Sequence, residues 1–270
     1  MAVVTVNGGW VELRPLTGHD ESRVFEADLP NALSLIDGLL TDRQGTLAAP
    51  GGAARLSSSA RDHLLAAIYR EQYGDEVATT TTCAACRARY DLSFSLADLV
   101  RSLPAAPPAP DGPYRLEGFA FRLPTGEDEL AVIGLPRDAM RRELLRRCLI
   151  EGELPGGDSF EPFAAALEAA MEAAGPLINL ELDAQCPECG AAQSLHFDMQ
   201  TYLLSALLAD QRRLTAEIHL LAMTYRWGLS EILLLTRRQR QRYVALIDAS
   251  NQAAARAVQP FTIGGRRRAT

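Results

Sequence analysis

Apolar residues alternate with polar ones at a period of two in several short stretches and recur near 3.6 in longer ones, so the chain predicts small β-hairpins interleaved with helices. Val3-Val-Thr-Val6 and Trp10-Val-Glu-Leu13 flank Asn7-Gly8-Gly9, a tight-turn signal that predicts a hairpin. After Val77-Ala-Thr-Thr-Thr-Thr82, the residues Tyr90, Leu92, Phe94 and Leu96 alternate with polar neighbours. Ile178-Asn-Leu180-Glu-Leu182-Asp is followed by Gln193-Ser-Leu195-His196-Phe197 in the same rhythm, and each couple predicts a further hairpin. A smaller one is expected over residues 114–123 about Gly118. Helical spacing predicts helices over 17–27 and 31–40, one capped by Ser57-Ser-Ser59 and ending near Tyr73-Gly74, a turn over 96–100, and three more over 127–133, 137–151 and 160–174. Residues 44–56 read as a loop, and the five prolines between Leu103 and Pro113 as a stiff connector. From 199 to 248 the pattern is almost continuously helical, broken at Trp227-Gly-Leu-Ser230 and Leu235-Thr236, where Ser230 and Thr236 are the expected N-caps. Fraying is expected from Ala253.

Two Cys-x-x-Cys pairs, Cys83/Cys86 and Cys186/Cys189, fall at the tips of two of these hairpins, with Gly190 where the second must turn tightly. Such a turn aims two thiolates and several backbone N–H groups at one point, so two facing turns supply a tetrahedral set for zinc. The expected fold class is therefore α+β: two Cys-x-x-Cys hairpins forming a split zinc ribbon, a mainly helical insertion and a helical C-terminal third. The corresponding division is 1–103, 104–176, 177–258 and a flexible basic tail over 259–270. One structural zinc per chain is the favoured reading, with two redox dithiols, or thiols that have lost their metal, as alternatives. A redox dithiol opens a helix that lowers its thiol pKa, whereas each pair here precedes a strand. The pairs lie about a hundred residues apart, and loop closure permits this because its entropy rises only logarithmically with length. Cys148 sits on an apolar helical stripe with Leu144 and Leu145 and reads as a buried, inert thiol. His196 reads as a surface residue or as an outer partner of the metal.

Composition adds limits. With 270 residues, 47% hydrophobic and 23% charged, the chain can bury a core as one elaborated domain or two small ones. No apolar run approaches the length of a membrane span, and the first residues lack the basic and apolar regions of a signal peptide, so a reducing, cytoplasmic setting is expected. Residues 201–270 hold eleven Arg against four Asp or Glu, while residues 1–200 hold sixteen against thirty. A basic C-terminal third can meet nucleic acid, an acidic protein surface or the chain's own acidic part. The helix–turn–Arg-rich helix over 229–247 describes a zinc-ribbon nucleic-acid binder as the alternative function. Arg237, Arg238, Arg240 and Arg242 spread around more than half the circumference, however, and the whole chain is acidic, which disfavours it. His219, Tyr225 and Trp227 share a helix with Leu214, Ile218 and Leu221, either as a packed core face or as a docking surface. The four histidines pair with no nucleophile and no phosphate loop is present, so no enzyme and no small-molecule substrate are expected.

Several stretches together resemble a known family. Val11-Glu-Leu-Arg-Pro-Leu-Thr-Gly-His-Asp-Glu21, Asp62-His-Leu-Leu-Ala-Ala-Ile-Tyr-Arg through Tyr73-Gly-Asp-Glu into Cys83-Ala-Ala-Cys86, Cys186-Pro-Glu-Cys-Gly190, and Glu217 to Ile232 with Arg237-Arg-Gln-Arg-Gln-Arg-Tyr243 look like zinc-knuckle relatives of the baseplate hub and assembly proteins of contractile-tailed phages. Such proteins also accompany phage-derived contractile injection systems of bacteria. The resemblance covers most of the chain except about 104–175. It implies a non-enzymatic protein that helps build, or stays within, the baseplate end of such a particle, in the bacterial cytoplasm or in the particle itself. It carries the zinc ligands onto Cys83, Cys86, Cys186 and Cys189. It also makes the helices around His219, Tyr225, Trp227, Arg237, Arg238 and Tyr243 the face for other baseplate or tail proteins. Some relatives lack the cysteines, which implies an architectural metal.

Overall fold

The computed structural model describes residues 1–6, 8–103 and 112–257. Asn7, the prolines expected to form the connector over 104–111 and the tail expected over 259–270 lie outside the described residues. Among the described residues the chain is mixed α/β, with ten helices and four small antiparallel sheets. It begins with the hairpin β1 (Ala2–Val6) and β2 (Gly9–Leu13), then α1 (Gly18–Glu21), α2 (Leu29–Leu39) and α3 (Ser58–Tyr73). A second hairpin, β3 (Glu76–Thr82) and β4 (Arg89–Ser95), leads into α4 (Leu96–Ser102). Next come β5 (Tyr114–Leu116), β6 (Phe119–Phe121), α5 (Gly126–Val132), α6 (Arg137–Cys148), β7 (Leu149–Glu151) and α7 (Phe160–Ala174). The last hairpin, β8 (Asn179–Gln185) and β9 (Ala192–Asp198), runs into α8 (Met199–Tyr225), α9 (Leu229–Leu233) and α10 (Arg237–Ala257).

Three local expectations change. The helix expected over 17–27 is only the single turn α1: the Asp20 carboxylate is drawn back onto the Arg14 guanidinium, and Arg23 N and Val24 N bond Asp20 and Glu21 carbonyls in a turn. Asp28 then caps α2 by accepting from Asn31 N at 2.9 Å, so a new helix starts instead of the old one continuing. The helix expected over 137–151 ends at Cys148, because the open edge of β6 offers a ladder partner: Leu149 pairs with Phe121 and Glu151 with Ala120. Ser230 lies inside α9, whose cap is Gly228; its N–H donates to Glu231 Oε2 at 2.7 Å. Thr236 does cap α10, in a reciprocal pair with Gln239.

The chain divides into two compact units, one of residues 1–16 with 20–210, the other of residues 17–19 with the chain from Gln211 onward. The first holds two cores. The larger gathers Val11, Leu13, Ile36, Leu64, Leu65 and Val77 with Ile178, Phe197, Met199 and Leu203. The smaller packs Phe121, Leu145, Cys148, Phe160 and Leu167. The second unit has its own core of Leu221, Ile232 and Ile247, and Thr17 pairs there with Thr236. Arg240 is buried in it, its Nε donating to Glu217 Oε2 at 2.8 Å and its Nη1 to Leu235 O at 2.8 Å. No described helix is long and apolar enough to cross a membrane.

Candidate metal centre

Both cysteine-bearing hairpins are regular ladders, running from Glu76↔Ser95 to Thr82↔Arg89 and from Asn179↔Asp198 to Gln185↔Ala192. Alternation places Val77 and Phe197 in the core and delivers the cysteines to the tips. Each tip closes in the same way. Cys83 N donates to Ala88 O and Cys186 N to Ala191 O, both at 2.9 Å. Arg87 N returns to Cys83 O at 3.0 Å and Gly190 N to Cys186 O at 2.8 Å. The residue after the second cysteine is left-handed in both, with φ of 64° at Arg87 and 70° at Gly190.

The two tips face each other. Cys83 Sγ lies 3.7 Å from Cys189 Sγ, and Cys86 Sγ 3.7 Å from Cys186 Sγ, while all four sulfurs fall within 4.8 Å of one another. A regular tetrahedron about zinc with Zn–S of about 2.3 Å sets sulfurs roughly 3.8 Å apart, so the set fits a four-coordinate ion. Comparison with protein families, curated proteins and solved structures returns no match for this chain. The centre therefore stands on its own geometry: four cysteines, about a hundred residues apart in pairs, brought together as a group that could hold a metal ion.

The two thiols of the first tip differ in acidity. The backbone N–H of Cys86, and less so that of Ala85, point at the Cys83 sulfur and hold its thiol down to about 6, against burial. The Ala88 N–H pulls Cys86 down likewise, but its hydrogen bonds to the sulfurs of Cys189, Cys83 and Cys186 outweigh that and push it up to about 12. One thiolate is favoured, whereas a second beside it is opposed. A cation held at the centre would favour the thiolate form of its ligands. Cys83 and Cys186 are buried, and Cys86 and Cys189 are exposed.

Gln193 ties the tips together: its Nε2 donates to Tyr90 Oη at 2.7 Å and its Oε1 accepts from Ala84 N at 3.3 Å. Neither Gln193 nor Tyr90 is visible as part of the site in the sequence, because an alternating strand carries polar and aromatic residues for many reasons. His196 lies on β9, exposed, with Nδ1 3.1 Å from Glu181 Oε1, apart from the cysteine cluster. Cys148 is buried at the end of α6, and burial first, then the Asp128 charge, pushes its thiol up to about 12. In the second unit Tyr225 stacks on Trp227 with centroids 4.8 Å apart, Tyr243 meets both edge-on at 5.8 and 5.0 Å, and all three are half-buried against its core. His219 is exposed on α8, and Arg237 and Arg238 occupy the first turn of α10.

Proposed function

We propose that the chain is a non-enzymatic structural protein whose four cysteines form a split zinc ribbon around one permanent zinc. The carrying observation is the convergence of Cys83, Cys86, Cys186 and Cys189 at distances that fill a tetrahedron. Four thiolates leave no coordination position for water or substrate, which is the arrangement of a structural rather than a catalytic zinc. The order of its motifs supports a place in the baseplate of a phage tail or a related contractile injection apparatus, as an assembly factor or a resident part. The C-terminal helices carrying His219, Tyr225, Trp227, Arg237, Arg238 and Tyr243 are proposed to meet neighbouring tail proteins. The burial of Arg240 against Glu217 takes one arginine away from any phosphate-facing surface, which favours a protein partner over the nucleic-acid reading.

Elemental analysis of native protein should return one zinc per chain; two, or none, would remove the shared site. Co-expression with the sheath and tube proteins of a contractile tail should give a complex that survives moderate salt. A duplex-DNA gel shift that weakens steeply with log salt, without such a complex, would instead establish nucleic-acid binding.

A further inference from the structure

The correspondence between the two cysteine hairpins extends far beyond their tips. Every position of β3, its knuckle and β4 has a counterpart 103 residues on: Glu76 and Asn179, Cys83 and Cys186, Arg87 and Gly190, Ser95 and Asp198. Ser95 and Asp198 each cap the following helix, accepting from Asp98 N at 3.1 Å and Thr201 N at 2.6 Å. Each helix in turn opens with an N–H bonded just ahead of its hairpin, Leu96 N to Asp75 O at 2.8 Å and Met199 N to Ile178 O at 3.0 Å.

A second motif recurs upstream. Arg14-Pro-Leu-Thr-Gly-His-Asp-Glu21 is matched by Arg122-Leu-Pro-Thr-Gly-Glu-Asp-Glu129. Arg14 grips Asp20 through both Nη atoms at 2.7 Å and donates from Nη1 to Pro15 O at 3.1 Å. Arg122 grips Asp128 at 2.5 and 2.9 Å and donates from Nη1 to Leu123 O at 3.1 Å. Arg14 N bonds Leu39 O at 2.8 Å where Arg122 N bonds Cys148 O at 2.9 Å, and the bridge Leu13↔Leu40 stands where Phe121↔Leu149 pairs β6 with β7. Even the unexpected β7 thus has a counterpart. Gly18 and Gly126 both lack room for a Cβ, which would come within 2.9 Å of Arg240 Nη1 and 3.0 Å of Leu33 Cδ2 respectively. From β1 to α4 and from β5 to α8 the element order is the same: hairpin, two helices, a 3-10 turn (Ala53–Arg55 and Gly157–Ser159), a helix, the cysteine hairpin, a helix, with the single bridge of Leu40 extended in the second stretch to the strand β7.

We propose that these two stretches are two copies of one folding unit, and that the thiolate centre is the seam between them, lying on the local two-fold axis that relates the hairpins. The contacts across it are reciprocal, as a self-complementary interface requires. Cys83 meets Cys189, the counterpart of Cys86, and Cys86 meets Cys186, the counterpart of Cys83. Phe94 meets its own counterpart Phe197 edge-on, centroids 5.2 Å apart, and Tyr90 bonds its own counterpart Gln193. Tyr90 and Gln193 are the positioning residues of the seam. Their asymmetry has a local cause: Gln193 accepts the Ala84 N–H, and the counterpart of Ala84 is Pro187, which has none.

The test is an exchange in the full chain, moving the sequence of residues 186–193 to 83–90 and the reverse. Around a two-fold axis the swapped chain regenerates every contact, including the glutamine on an alanine N–H. A one-sided chain carrying the 83–90 sequence at both tips loses the Tyr–Gln bond. Titrated with cobalt(II) and followed by its thiolate charge-transfer and ligand-field bands, the exchanged chain should bind one ion within about threefold of the parent, and the one-sided chain at least tenfold more weakly. An exchanged chain as impaired as the one-sided one would overturn the proposal. The three chains are also melted without metal, where the exchanged chain should melt within a few degrees of the parent and above the one-sided chain. A parent that takes up no cobalt would sink the zinc reading, and the metal-free melts would still decide for or against the repeat.

Discussion

Arg87 adopts a φ of 64° at the position where the other knuckle places a glycine. A side chain in that region costs about 1–2 kcal/mol relative to glycine, so Arg87→Gly should raise stability by about 1 kcal/mol in urea melts of the metal-loaded protein. A neutral or destabilised variant would show that the Arg87 side chain contributes more than its backbone loses. Asp62 behaves differently. It is buried on α3, its Oδ2 accepting from Ile178 N at 3.0 Å. Burial raises its carboxyl to about 7, against the opposing pull of Arg61 and the Ile178 N–H. With an unfolded value of about 3.9, the folded state binds the proton more tightly. The group's contribution to stability is therefore full below pH 4 and is lost as pH rises to 7. Asp62→Asn keeps an acceptor for Ile178 without the charge, so it should melt above the parent at pH 8 and level with it at pH 4.5. Equal melting differences at both pH values would mean that Asp62 does not titrate in this range. Among the thiols, Cys148 should resist alkylation until the protein unfolds, whereas the other four should react once metal is chelated.

At the scale of elements, the cysteine hairpins were legible because alternation, turn residues and Cys-x-x-Cys spacing all point the same way, and each local signal agrees with the fold around it. The metal set was legible for the same reason: two turns of one kind are natural partners. What was not legible depends on partners remote in sequence. The strand β7 exists only because β6 leaves an edge open beside it, and α1 stops early because Arg14 takes the Asp20 carboxylate. Gln193 looked like any strand residue until Ala84 and Tyr90 were seen opposite it. Cys186→Ser should abolish stoichiometric metal binding and cost several kcal/mol, given that structural zinc contributes an apparent ~10–16 kcal/mol in zinc-finger peptides. Thermal melting with metal analysis checks this, and a variant melting with the parent would reduce the centre to an ornament.

For the molecule as a whole, a second unit with a core of its own implies separate responses to metal loss. Chelation should accelerate hydrogen exchange in β3, β4, β8 and β9, whose tips converge on the thiolates, and leave α9 and α10 unchanged around Leu221, Ile232 and Ile247. Uniform acceleration along the chain would mean that the whole protein unfolds as one cooperative body. One further consequence follows from the unequal cover over the four ligands. Cys83 and Cys186 are shielded while Cys86 and Cys189 face water, so an incoming dithiol would engage an ion held there from the open side before any strand parts. Tenacity at equilibrium and speed of surrender would then be separate properties of the loaded centre: an attacking reagent would strip even a tightly held ion one bond at a time.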